Sequence, residues 1–141
     1  MTDLKELARR FYESLDAQDW EETARLVAPG FTAQVGSLPP MSFTDWRRGL
    51  EMFYAGFPDG RHLIDDYVAE DDRVVTRCRF EGTHSGAFFG VPPSGSRVSV
   101  GVIHIDRFAG DKLVEHFGQL DLLGLMLKLG AIPPPPNSRT N

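Results

Sequence analysis

The chain reads as an α+β protein, with helices laid on one face of an antiparallel sheet. Three observations predict this. Apolar residues recur at helical spacing through the first third, the period drops to two from about residue 62, and turn residues punctuate the second half as they do between the strands of a meander.

The elements follow in order. Leu4, Leu7, Ala8, Phe11 and Leu15 form one helical stripe, and Asp3 followed by Glu6 has the form of a capping box. Asp19 followed by Glu22 repeats that signal for a short helix from Trp20 to about Val27, stopped by Pro29–Gly30. After a loop with Pro39–Pro40, a third helix begins near Thr44. Trp46, Leu50, Phe53 and Phe57 make its buried stripe, and Pro58 ends it. Strands are then expected over His62–Ala69, Arg73–Thr83, Arg97–Phe108 and Lys112–Leu120, with turns at Asp71–Asp72 and Gly110–Asp111. The connection Ser85–Ser96 is rich in Gly and Pro yet carries Phe88, Phe89 and Val91, so it is expected to fold over a cavity. A last helix covers Leu122–Leu129 and stops at Gly130. One domain over residues 1–132 is expected, with a Pro-rich, disordered tail over residues 133–141.

Composition narrows the function. With 20 acidic against 15 basic residues the formal charge is −5, which excludes the basic stripe that phosphate contact requires. Arg9–Arg10 and Arg47–Arg48 are the tight basic pairs, and both fall on helices as solvated faces. A lone cysteine, Cys78, precludes an internal disulfide and suits a reducing cytoplasm. The opening MTDLKELARR lacks the apolar run of a signal peptide, and no stretch approaches a membrane span. The expectation is a soluble cytoplasmic protein with neither nucleic-acid nor membrane partner.

The strand after the Gly-rich loop is apolar on both faces, with Val98, Val100 and Val102 on one and Ile103 and Ile105 on the other. Helices cover one face; the other needs a sheet curled on itself or a partner chain. A curled sheet encloses an apolar pocket, the usual setting for a small-molecule site.

The segment Arg77-Cys-Arg-Phe-Glu-Gly-Thr-His-Ser-Gly-Ala-Phe-Phe-Gly-Val-Pro-Pro-Ser-Gly and the stretch Leu113-Val-Glu-His-Phe-Gly-Gln-Leu-Asp-Leu-Leu-Gly-Leu resemble the SnoaL-like polyketide cyclase family. The helical opening and strand order agree with it over about residues 3–131. The resemblance implies a cone, as in ketosteroid isomerase: N-terminal helices packed on a strongly curved, mainly antiparallel sheet around an internal apolar pocket. It also implies intramolecular aldol ring closure of a polyketide-like substrate without metal or cofactor. An aspartate carries the proton, and the matching position is Asp121. Relatives of this fold often pair through the outer sheet face, so a homodimer is expected. The chain departs from the family at Cys78, where an aromatic is usual, and at Phe117, where Trp is usual. Its only asparagines are Asn137 and Asn141, so an amide near the substrate would have to be Gln34 or Gln119.

Asp121 therefore has two readings. In an apolar wall, a desolvated carboxylate is a proton carrier tuned toward the working pH. At the junction of a strand with the helix Leu122–Leu129, it is an N-cap. His104, with Asp106 on the same strand face as Val98, Val100 and Val102, is the second catalytic candidate, or a core histidine. Strand parity puts Phe117 and Gln119 on the face of Asp121 and turns His116 away, so Phe117 and Gln119 are expected in the pocket wall. Phe88, Phe53, Trp46 and, from the family pattern, His84 complete the expected substrate contacts. No histidine pair has metal-type spacing such as H-E-x-x-H, Cys78 has no cysteine partner, and no metal site is expected. Two alternatives stay open: a binding module for an apolar, oxygenated ligand, and an epoxide hydrolase using Arg77, Asp106 and Asp121.

Overall fold

A computed structural model describes residues 2–136. Helix α1 (Leu4–Asp16) is capped by Asp3, whose carboxylate accepts from the amides of Lys5 at 3.1 Å and Glu6 at 3.3 Å. Glu6 turns to Arg9 (2.9 Å) rather than back to the cap amide, so only half of the expected box forms. Helix α2 (Trp20–Leu26) is capped by Asp19, and α3 (Phe43–Gly56) by Ser42. The stripe expected on α3 faces the core, with Trp46 and Phe57 buried and Leu50 and Phe53 packed against them.

The sheet has six strands, not the four that periodicity suggests. Strands β3 (Arg61–Glu70), β4 (Arg73–Thr83), β5 (Arg97–Ala109) and β6 (Lys112–Leu120) form the expected antiparallel meander. The unexpected pair is β1 (Val27–Val35) and β2 (Met41–Ser42), and the sheet order is β2-β1-β6-β5-β4-β3. β1 runs parallel to β6, which makes the strongly curved sheet mixed. Pro29–Gly30 hid this strand. Its register jumps between Val27 and Thr32, and Pro is tolerated at such an irregularity because no ladder amide is required there.

The three N-terminal helices cover the inner face, made by Val74, Cys78 and Phe80 of β4, Val98, Val100, Val102 and Phe108 of β5, and Leu113 of β6. Two bulges change which side chains reach it. Asp65 is the extra residue between the pairs Ile64–Cys78 and Asp66–Arg77; Val114 is the extra residue between Phe108–Leu113 and Arg107–Glu115. Helix α4 (Leu122–Lys128) closes one end, with Leu125 buried, and Gly130 follows with φ +71°. Residues 133–135 have no regular structure; residues 137–141 of the expected tail lie outside the described residues. No helix among the described residues is long and apolar enough to cross a membrane.

Candidate active site

The inside of the cone is more polar than its sequence pattern suggests. Tyr12 of α1 donates its hydroxyl to Oδ2 of Asp106 on β5, and Oδ1 of that carboxylate accepts from Nδ1 of His116 at 2.6 Å. All three side chains are buried, and Asp106 is 0% exposed. Beside them, Asp16 at the end of α1 accepts from the Tyr54 hydroxyl at 2.8 Å and from the His62 amide at 2.8 Å. Nδ1 of His62 lies 2.7 Å from the same carboxylate.

His104 lies between these two groups. Its ring centre is 4.8 Å from that of Tyr12, 5.0 Å from His116 and 5.5 Å from His62. Gly118, its cross-strand partner, leaves the room: a Cβ there would stand 3.1 Å from His104 Nδ1. Neither ring nitrogen has a partner in hydrogen-bonding geometry. Burial pushes the His104 pKa well below its ordinary value, helped by the neighbouring charges of His116 and His62 and opposed by the backbone of Phe117. Burial likewise pushes the Cys78 thiol up to about 12, with the charges of Asp16, Asp65 and Asp106 adding to it. Tyr12 and Tyr54 are held well above the usual phenol range by burial and by their aspartate neighbours.

A recess of about 710 Å³ lies elsewhere, at the start of α4. Its lining includes Arg77, Arg79, Gly101, Ile103 and Gln119, which project from the outer side of β4, β5 and β6, with Asp65, Asp121, Leu122 and Leu123 around them. Asp121 caps α4: Oδ1 accepts from the Gly124 amide at 2.9 Å, while Oδ2 has no hydrogen-bond partner among the described residues. The carboxylate is exposed, not desolvated in an apolar wall as the sequence suggests. Gly124 is required for this cap, since a Cβ there would stand 2.2 Å from Asp121 Oδ2.

The structure therefore separates residues that sequence reasoning grouped. Asp121 and Gln119 share the outer recess, whereas His104 is inside the cone. Phe117 and Gln119 do share the side of Asp121, as strand parity predicts, but that side is the outer face of the sheet. His116 faces in, Gln119 is exposed and Phe117 is half-buried on the outer side. The count by twos from Asp121 holds; the difference is that Asp121 itself lies at the outer recess and not on the inner wall. Trp46 is buried inside, 5.4 Å ring to ring from His116. Phe53, Phe88 and His84 gather at another place in the core, around Phe57. The hydrolase set is not assembled: Asp106 is inside with Tyr12 and His116, while Arg77 is outside, its Nε 2.7 Å from Asp66. Sequence reasoning missed Tyr12, Asp16 and His62, whose partners are distant in sequence. The only local signal was that Tyr12 adjoins the buried Phe11.

A family comparison matches the SnoaL-like polyketide cyclases over residues 5–129. The chain belongs to that family. As a SnoaL-like cyclase it is an enzyme of the cyclase/isomerase kind, built to take a small-molecule substrate. Solved structures agree with its cone. AclR of Streptomyces galilaeus, a proposed hydroxylase, is 28% identical with a TM-score of 0.85, over 94% of this chain and 84% of its own. IdmH of Streptomyces antibioticus, a proposed polyketide cyclase, is 28% identical with a TM-score of 0.83, over 92% and 99%. A SnoaL-like protein of Jannaschia sp. CCS1 is 28% identical with a TM-score of 0.82, over 91% and 92%. Among curated proteins, none matches the chain.

Proposed function

We propose that this SnoaL-like cyclase closes a ring in a polyketide-like, largely apolar substrate by an aldol reaction, with Asp121 carrying the proton. The observation that carries this is the unpaired Oδ2 of Asp121 at the edge of the recess. The carboxylate takes a proton from a carbon flanked by two carbonyls, and the enolate attacks a third carbonyl of the same molecule. One carbon–carbon bond forms, and the proton held on Asp121 returns to the new alkoxide. No net proton or electron is exchanged.

The surroundings suit such a substrate. Ile103, Leu122 and Leu123 offer apolar surface, and the Gln119 amide offers a donor for a carbonyl. Arg77 and Arg79 lie at the same recess, although ion pairs with Asp66 and Asp65 already occupy them. Exposed Ile103 and Ile105 on this outer face also favour pairing of two chains there. A second copy over the recess would exclude water from Asp121 and strengthen its acid/base action. Sedimentation is expected to give a dimer, weakened when Ile105 is changed to Lys; an unshifted monomer in both proteins would rule the pairing out.

Asp121→Asn is expected to lower turnover of a cyclisable β-polyketide by about 10²–10⁴-fold. Unchanged turnover would sink the assignment. Should no substrate turn over while apolar ligands raise the melting temperature of both proteins, the recess is a binding site without chemistry.

A further inference from the structure

We propose that His62, Cys78 and His104 bind a single zinc ion inside the cone. These residues come from three neighbouring strands, β3, β4 and β5, and offer two imidazole nitrogens and a sulfur that all lie within 4.8 Å of one another. A modest inward shift brings such a set to the spacing of tetrahedral zinc ligands, with Zn–N near ~2.0 Å and Zn–S near ~2.3 Å. Two nitrogens and one thiolate are donors that zinc favours over magnesium or calcium, and three protein ligands leave a fourth position open.

Three further observations fit a cation. His104 is buried, and apart from the Phe117 backbone, whose approach falls short of hydrogen-bonding geometry, neither nitrogen has a partner, an arrangement native interiors avoid unless another group takes the lone pair. His62 is already oriented. Asp16 holds its Nδ1 at 2.7 Å and is itself fixed by Tyr54, so Nε2 is the nitrogen left to coordinate. Carboxylates set ligating histidines in this way, fixing the tautomer that leaves the other nitrogen free. Lastly, Asp16, Asp65 and Asp106 all act electrostatically on Cys78, so the field at the sulfur is negative. On binding, Cys78 releases its proton to solvent and the thiolate becomes the third ligand, with no redox change.

Of the three ligands Cys78 also borders the Asp121 recess, while His62 and His104 do not, and ring closure at Asp121 needs no metal. Metal-type spacing is absent from the sequence because each ligand sits on a different strand. The test uses the full chain, stripped with a chelator and titrated with Co²⁺ and then Zn²⁺. One equivalent of Co²⁺ is expected to give a thiolate-to-cobalt charge-transfer band in the near ultraviolet, with visible bands of tetrahedral intensity, both lost when Zn²⁺ is added. Cys78→Ser should lose the charge-transfer band while circular dichroism shows it folded. Asp16→Asn should keep the band but weaken affinity by about 10–100-fold. Asp121→Asn should bind as the parent does, so loss of ring closure and loss of metal binding are told apart. The proposal is overturned if the folded parent chain gives no band, or if Cys78→Ser and His62→Gln bind Co²⁺ as the parent does, which would mark adventitious surface binding.

Discussion

Asp106 and Asp121 are the same side chain in opposite circumstances. Asp106 is fully buried, and both of its oxygens are engaged, one by the Tyr12 hydroxyl and one by His116. Asp121 is exposed, with one oxygen on a helix amide and the other unpaired. A buried carboxylate is tolerated when its oxygens are paired, and turning either one to a substrate would strand its present partner. An exposed cap gives up little if its second oxygen reacts. The first aspartate is committed to interior partners, and the second keeps one oxygen unpaired.

The largest expected effect breaks the inner set. Asp106→Ala leaves the Tyr12 hydroxyl and His116 Nδ1 buried without a partner, and is expected to cost about 3–5 kcal/mol. For a domain of this size that lowers the melting temperature by roughly 10 °C or more. Thermal unfolding followed by circular dichroism measures it. A loss under ~1 kcal/mol would mean the interior relaxes around the missing charge, and the contrast with Asp121 would fail.

Asp121→Asn should do the reverse. Asn caps helices as well as Asp does, so stability is expected to stay within about 0.5 kcal/mol while turnover collapses. Stability and activity falling together would assign Asp121 to structure, as with Asp106.

Much of the frame was legible in the sequence, because periodicity reports which face is buried. β4 and β6 begin and end where alternation and turn residues place them, and α4 begins directly after its Asp cap. Three things were hidden. β1 carries Pro29–Gly30, a stop signal that the sheet accommodates at an irregular register. His116 was correctly set opposite Asp121 by parity, but which of the two faces is the interior depends on the curl of the sheet and on the Val114 bulge, which no composition cue marks. Asp16, His62, Cys78 and His104 converge only when three strands and a helix end come together, so no local spacing announced them. The Asp121 cap was legible because its partner, Gly124, is three residues away.

That short range permits the finest test of the comparison. Replacing Gly with Ala inside a helix ordinarily stabilises it by ~1 kcal/mol. At Gly124 the new Cβ would lie 2.2 Å from Asp121 Oδ2 and 2.8 Å from its Cγ, so the carboxylate must leave the cap. A lost cap costs about 1 kcal/mol. In the parent chain the two effects offset, and Gly124→Ala is expected to change stability by less than ~0.5 kcal/mol. In an Asp121→Ala background there is no carboxylate to displace, and the same change should stabilise by about 1 kcal/mol. Urea unfolding of the four proteins gives the coupling directly. Positive coupling of that size would establish that Asp121 caps the helix in solution. Zero coupling would mean the carboxylate spends its time turned into the recess, which would remove the cap from the comparison and leave Asp121 to the substrate alone.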